Sequence, residues 1–70
     1  MNRIRALREA SSMSQKELAN AIGVPQSLVS YWEREERTPS VVNAQKLADF
    51  FEVGINDIFA LNIKHDAERD

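Results

Sequence analysis

Five polar side chains recur along one short stretch of the chain: Gln26, Ser27, Ser30, Tyr31 and Arg34. At about 100° of rotation per residue they share one face of a helix. They offer hydrogen-bond donors and acceptors with little net charge, whereas a solvated face more often carries glutamate and lysine. Such side chains can bond to base edges in the major groove of DNA, where glutamine can pair bidentately with adenine. A polar surface helix that contacts nothing would show the same face, and both interpretations stay open on this pattern alone.

The opposite side of this stretch is apolar, which predicts a helix packed on a core over about 25–34. Leu28, Val29 and Trp32 share this side. Trp32 is therefore expected in the core, although a tryptophan can also stack on single-stranded bases.

A second short helix is expected just before it, over about 15–22. Ser14 and Glu17 have the spacing of a capping box, so the helix should start at Gln15. Gly23 can end it, because glycine adopts the left-handed conformation without steric cost. The next helix would start near Pro25, since proline suits a first helical turn. The stripe expected in the core comprises Leu18, Ala19, Ala21 and Ile22.

Three further helices complete an all-α prediction. Asn2 can cap a helix over 2–10, in which Ile4, Leu7 and Ala10 recur at a spacing of three. Ser40 can cap a helix over 41–51, and residues 55–59 suggest a short fifth helix. The apolar stripe predicted for the fourth helix is Val41, Ala44, Leu47, Ala48 and Phe51.

Length and composition exclude several classes of function. Seventy residues make one small domain with a marginal core. The chain has no cysteine, one histidine (His65) and two glycines, so we expect no thiol chemistry, metal site, glycine-rich phosphate loop or enzymatic activity. No cofactor or small-molecule ligand is evident. No apolar run is long enough to cross a membrane and no secretory signal is recognisable, so we expect a cytoplasmic protein.

The charge is unevenly distributed along the chain. The net charge is −2, yet residues 1–40 hold six basic and five acidic side chains while residues 41–70 hold three basic and six acidic ones. The half that carries the polar face is thus the less acidic one. If the protein binds DNA, its affinity should depend on a few placed contacts rather than on a broad basic field.

Several motifs occur together in the order and spacing of a known family. The segment MSQKELANAIGVPQSLVSYWEREERTPS, residues 13–40, contains ELA, IGV, a Gln-Ser pair, VS-x-WE and R-TPS. Over about residues 3–59 the chain resembles the XRE family, the Cro/cI-like helix-turn-helix regulators of phages and bacteria. The resemblance implies a compact five-helix bundle of the lambda-repressor-like type over residues 1–60, with the helix-turn-helix at about 15–34. It also implies a place in the bacterial cytoplasm or nucleoid.

The same resemblance implies a sequence-specific regulator of double-stranded DNA, most often a repressor. The second helix of the motif would enter the major groove while the first lies across the backbone. The residues expected to read bases are Gln26, Ser27 and Tyr31, with Ser30 a weaker candidate. The residues expected at phosphates are Gln15, Lys16, Arg37, Thr38, Ser40 and Arg8.

Two positions depart from the family pattern. Glu35 and Glu52 stand where relatives usually have glycine, and at Glu35 a glutamate would either be strained in the left-handed conformation or force a different exit from the helix. Glu35 and Glu36 would also lie near the DNA backbone, and together with Glu33 we expect them to be a solvated run. These acids favour an alternative function, in which the fold serves as an antitoxin-like or anti-repressor module that binds another protein.

A homodimer is the expected assembly, because one helix-turn-helix unit makes few base contacts and a palindromic operator would double them. A two-fold interface uses the same patch on both subunits. The candidate interface residues are Ile55, Phe59, Leu61 and Ile63. Residues 61–70 are expected to form a short extension, with a possible strand at Leu61–Ile63 and a frayed end.

Overall fold

The structure, a computed structural model, describes residues 2–59 and consists of five helices. Within that range there is no strand, so the all-α prediction is confirmed. The strand predicted near Leu61 and the extension 61–70 lie outside the described residues. None of the described helices is long and apolar enough to cross a membrane. The helices are α1 Ile4–Ala10, α2 Gln15–Ile22, α3 Gln26–Glu33, α4 Val41–Phe51 and α5 Ile55–Phe59.

The helix starts are capped largely as predicted. The Ser14 hydroxyl accepts from the backbone N–H of Glu17 at 3.0 Å, and the Glu17 carboxylate accepts from the Ser14 N–H at 2.8 Å. Ser40 likewise accepts from the N–H of Asn43 at 3.1 Å. The first helix begins at Ile4 rather than at residue 2, and its N-cap residue is Arg3, which makes no side-chain cap hydrogen bond. The Asn2 Oδ1, one residue earlier, accepts from the Ile4 N–H at 3.1 Å. Side chains therefore satisfy N–H groups that have no partner within these helices.

Four helices end in the same left-handed turn, at Ser12, Gly23, Glu35 and Glu52. After α3, for example, Glu36 donates its N–H to the Tyr31 carbonyl at 2.9 Å and Glu35 donates to Trp32 at 3.0 Å. These are the two hydrogen bonds of a Schellman motif. The φ angles of Glu35 and Glu52 are 61° and 60°, so both glutamates adopt the left-handed conformation in which glycine is the usual residue. Of the two alternatives predicted at Glu35, the structure shows the left-handed exit and not a different one.

The core lies where α2, α3, α4 and the ends of α1 and α5 meet. Trp32 is 1% exposed, which confirms its assignment to the core. Three predicted core residues are instead exposed: Ala10, Ala21 and Val41. Each lies roughly 70–110° from the middle of its helix's buried arc, which explains its exposure. The buried apolar residues are Ile4, Leu18, Ala19, Ile22, Val29, Trp32, Ala44, Leu47, Ala48 and Ile58.

Candidate nucleic-acid interface

The turn between α2 and α3 fixes how the two helices meet. Gly23 adopts φ 75° and ψ 38°, and Val24 donates its N–H to the Ala19 carbonyl at 3.0 Å. Pro25 follows with φ −65° and precedes the first residue of α3. Only three residues separate the helices, and α2 packs mainly against α3. The pair therefore has the short connection and close packing of a helix-turn-helix unit.

The polar face of α3 points away from the core, as the sequence predicted. Val29 and Trp32 are buried on one side, whereas Gln26 and Ser27 are exposed in the first turn of the other. Ser30 and Tyr31 follow on the same side and are half-buried. The four side chains predicted to read bases thus lie together on the accessible side of one helix.

Two arginines lie against the ring of Tyr31. The Cζ atom of Arg37 lies 4.8 Å from the centre of the Tyr31 ring, and that of Arg34 lies 5.3 Å from it. Both distances are within the range of cation–π attraction. The interaction gathers two positive charges at the C-terminal end of α3. Arg34 lies on the predicted polar face but was not among the residues predicted to read bases or to bind phosphates. Its position beside Tyr31 makes it part of the candidate site.

The prediction that Glu33 belongs to a solvated run with Glu35 and Glu36 is wrong. Its side chain is 4% exposed and accepts from Arg8 Nε at 2.6 Å, from Arg8 Nη2 at 3.0 Å and from Gln15 Nε2 at 3.0 Å. Helical rotation places Glu33 about 40° from Val29, inside the buried arc of α3. Its burial could therefore have been read from the sequence, but its partners could not.

The prediction that Arg8 contacts a phosphate, made from its place near α2, is not supported by its surroundings. Its side chain is only 13% exposed, and besides Glu33 it donates to the carbonyl of Met13 at 2.8 Å. If the Arg8 guanidinium moved to a solvated phosphate, the buried Glu33 carboxylate would lose its counter-charge, which is energetically costly. Arg8 therefore links α1 and the α1–α2 loop to α3, and its effect on a ligand would be indirect.

The network also changes the acidity of both partners. Burial alone would raise the pKa of Glu33, but hydrogen bonds from Arg8 and Gln15 outweigh it and hold that pKa below its usual value. The hydrogen bond to Glu33 in turn raises the pKa of Arg8. Both groups are thus charged at neutral pH, and the ion pair is preserved.

The other predicted phosphate ligands surround α3 at its two ends. Lys16 in the first turn of α2 and Thr38 before α4 are exposed, as are Arg37 and Ser40. The Ser40 oxygen already accepts from Asn43, which leaves its O–H to donate. Gln15 gives one N–H to Glu33, and an amide nitrogen carries a second N–H. Each of these residues keeps a donor suited to an anion.

Other predicted sites are only partly covered by the described residues. Ile55 and Phe59 are half-buried and pack against the core, while Leu61 and Ile63 lie outside the described range. His65 lies outside it as well. Among residues 2–59, no group of three or more His, Cys, Asp or Glu side chains is arranged to hold a metal ion.

Comparisons with known proteins agree with this geometry. The sequence profile of the helix-turn-helix family matches residues 4–58, which span all five helices except the last residue of α5. Two proteins of Archaeoglobus fulgidus, both named as uncharacterized HTH-type transcriptional regulators, are each 37% identical to the chain over 57 residues. The aligned region makes up 81% of this chain and 80% and 81% of the two relatives.

Proposed function

Since the chain belongs to the XRE-type helix-turn-helix family of transcriptional regulators, we propose that it binds double-stranded DNA in a sequence-specific way and acts as a repressor. In this proposal α3 enters the major groove and α2 crosses the backbone, which is the docking geometry of characterised helix-turn-helix proteins. The observation that carries it is the exposed polar side of α3, opposite the buried Val29 and Trp32.

Base reading is assigned to the first two turns of this face. Gln26 and Ser27 are exposed at the helix start, the part of a recognition helix that reaches base edges. Tyr31 and Ser30 follow one turn later, on the same side. Glutamine offers a donor and an acceptor in one plane, which suits the adenine edge. Gln26 is therefore the residue on which sequence preference should depend most.

Phosphate binding is assigned to groups on either side of this face. Gln15 would donate its second amide N–H, held in place by Glu33, together with backbone N–H groups at the start of α2. Lys16 would support it on the same helix. Arg37, Thr38 and Ser40 would contact the flanking strand. In place of a direct contact by Arg8, we propose that Arg8 orients Gln15 through their shared partner Glu33.

The proposed functional unit is a two-fold homodimer on a palindromic operator. One unit would make few base contacts, and a chain with a net charge of −2 has little basic charge to supplement them. A second unit on a palindromic operator would double the base contacts and so raise the affinity. The proposed interface comprises Ile55, Phe59, Leu61 and Ile63. Sedimentation of the intact chain and of a chain ending at Phe59 tests it. A dimer lost on truncation supports the interface, whereas monomers in both cases that bind a palindrome non-cooperatively contradict it.

A second candidate function is binding of another protein through the retained fold. Two observations favour it: Glu35 and Glu36 border the polar face of α3, and Val41, Val42 and Phe50 are 72%, 66% and 41% exposed on α4. A module of this kind should show no affinity for DNA. The two functions are thus separable by one measurement.

That measurement is binding to mixed-sequence DNA at low salt, followed by titration of the salt. A DNA-binding regulator should bind, and the logarithm of its affinity should fall linearly with the logarithm of salt concentration. Absence of binding at the lowest salt would contradict the proposal and favour the protein-binding module. Selection of bound sequences from a random pool would then show whether the preferred site is palindromic.

A further inference from the structure

Arg34 and Glu36 form a two-pronged ion pair at the C-terminal end of α3. Arg34 Nε donates to Glu36 Oε2 at 3.1 Å, and Nη2 donates to Oε1 at 3.2 Å. The remaining terminal nitrogen, Nη1, donates to the Ser30 hydroxyl. Parallel donation of this kind is how arginine binds a carboxylate or a phosphate. The Glu36 carboxylate therefore occupies the fork that a phosphate would use.

The backbone turn after α3 brings this carboxylate into reach. The left-handed Glu35 reverses the chain, and the N–H of Glu36 is tied to the Tyr31 carbonyl at 2.9 Å. Two residues after Arg34, the chain thus lies back over the helix end. Stacking of Arg34 on Tyr31 at 5.3 Å fixes the guanidinium from the other side. The position of Glu36 follows from the Schellman turn and not from burial.

Exposure separates this pair from the one between Arg8 and Glu33. The side chains of Arg34 and Glu36 are 52% and 54% exposed, compared with 13% and 4% for the buried pair. Exposed ion pairs contribute little to stability, because both groups remain solvated when apart. The Arg34 pair can therefore open without harm to the fold, and its partner can be exchanged.

We propose, on the basis of the proposed DNA-binding function, that Arg34 binds a DNA phosphate and that Glu36 is an internal competitor which occupies its guanidinium in the free protein. The first turn of α3 faces base edges, so its C-terminal end approaches the backbone of the groove. Arg37, on the same tyrosine ring, would stand beside Arg34 at that backbone. Glu36 thus lowers the affinity for every sequence and leaves base reading untouched.

A double-mutant cycle on the full chain tests the competition. The variants are Glu36→Gln, Arg34→Gln and the double substitution, and the probe is a mixed-sequence duplex over a range of salt concentrations. Glu36→Gln should tighten binding about two- to fivefold, the equilibrium value of an exposed ion pair. In the wild type, the Glu36 carboxylate that is freed on DNA binding takes up a cation and so offsets part of the cation release from DNA. Glu36→Gln removes this uptake and should therefore steepen the salt dependence by up to about 0.9 units. Arg34→Gln should weaken binding to all sequences alike.

The decisive result is the effect of Glu36→Gln in the Arg34→Gln background. If Glu36 acts through Arg34, the gain should be smaller in this background than in the wild type, and any remaining gain is the repulsion of DNA by a nearby carboxylate. Glu52→Gln makes the same charge change on another helix end and is the control for net charge. An equal gain in both backgrounds would mean simple repulsion of DNA and would overturn the inference. A loss for Arg34→Gln confined to one base pair would overturn the phosphate assignment.

This experiment separates the inference from the function on which it rests. If the wild-type chain fails to bind DNA at low salt, the proposed function itself is wrong. If it binds and Glu36→Gln gives no gain beyond that of Glu52→Gln, only the competition is wrong. Thermal unfolding of each variant shows whether the fold is intact, and both side chains are exposed, so little change in stability is expected.

Discussion

The Nε atom of Arg8 lies 2.6 Å from Glu33 Oε2, across 25 residues of sequence. The contact joins α1 to the last residue of α3, and Gln15 joins the same carboxylate from α2. Three helices therefore share one buried acid. Because a buried charge that loses its partner is costly, the orientation of these helices depends on Glu33 remaining ionised.

Glu33→Gln should lower the free energy of unfolding by about 2–4 kcal/mol at pH 7, since it leaves the Arg8 guanidinium without its buried counter-charge and only the exposed Glu9 beside it. The pKa of Glu33 is lower in the folded state than its ordinary value of 4.5. Its contribution is thus fully present above that value and is lost as the pH falls through the lower, folded-state pKa. Urea unfolding at several pH values should show the two proteins converging in acid.

Glu9→Gln is the matched control for this prediction, because Glu9 is exposed on α1, where it pairs with Arg5 at 3.1 Å and lies 3.9 Å from the same Arg8. Exposed pairs of this kind contribute about 0.3–0.5 kcal/mol. A difference between wild type and Glu33→Gln that stays constant from neutral to acid pH would contradict the assigned role of the carboxylate.

Gln26→Ala should cost about 1–3 kcal/mol of binding free energy on the preferred site and relax the preference at one base pair. The measurement is the affinity of the variant for a panel of single-base changes in the selected operator. Gln45→Ala, which removes an exposed glutamine from α4, should leave the profile unchanged. If Gln26→Ala also leaves it unchanged, Gln26 does not read a base.

Arg37→Ala should weaken binding to all sequences alike and reduce the salt slope by about 0.9 units, the loss of one phosphate contact. The comparison is with Arg5→Ala, which removes an exposed arginine from α1. Fluorescence or gel-shift titration at four salt concentrations gives both slopes. A loss restricted to certain base pairs would assign Arg37 to base reading instead.

Glu52→Gly should raise the free energy of unfolding by about 0.5–1 kcal/mol. Glu52 has φ 60°, and a left-handed conformation costs a side-chain-bearing residue about 1–2 kcal/mol, of which the greater flexibility of unfolded glycine cancels a part. Lys46→Gly in the middle of α4 should have the opposite sign, because its backbone is helical. Thermal unfolding measures both, and a destabilised Glu52→Gly protein would show that this exit is not strained.

Local signals in the sequence were sufficient for the five helices and for most of their ends, although α1 begins at Ile4 and not at residue 2. The capping box at Ser14, the stop at Gly23 and the cap at Ser40 were each predicted and confirmed, because they depend on residues within one turn. The core assignment of Trp32 also followed from helical rotation. The core prediction was wrong at the edges of the apolar stripes, for example at Val41, which is exposed. The packing of neighbouring helices decides how much of each stripe is buried, and this cannot be derived from one helix alone.

The charged residues of the candidate site were harder to predict. Glu33 and Glu36 look alike in the run that follows Trp32, yet one is buried in a network and the other lies on the surface. The partner of Glu33 is 25 residues away and cannot be recognised from spacing. The partner of Glu36 is two residues away, but the contact depends on a left-handed turn at Glu35, a conformation that usually requires glycine.

The N–H of Arg3 donates to the Ile58 carbonyl at 3.2 Å and thus joins the start of α1 to α5. The amide precedes the first helix and would otherwise exchange with solvent at once. Its deuterium uptake consequently reports the docking of α5 rather than the fraying of α1. An N-terminal fusion that displaced this segment would remove the hydrogen bond, while α5 would still be held by its packing against α4 and by the buried Ile58.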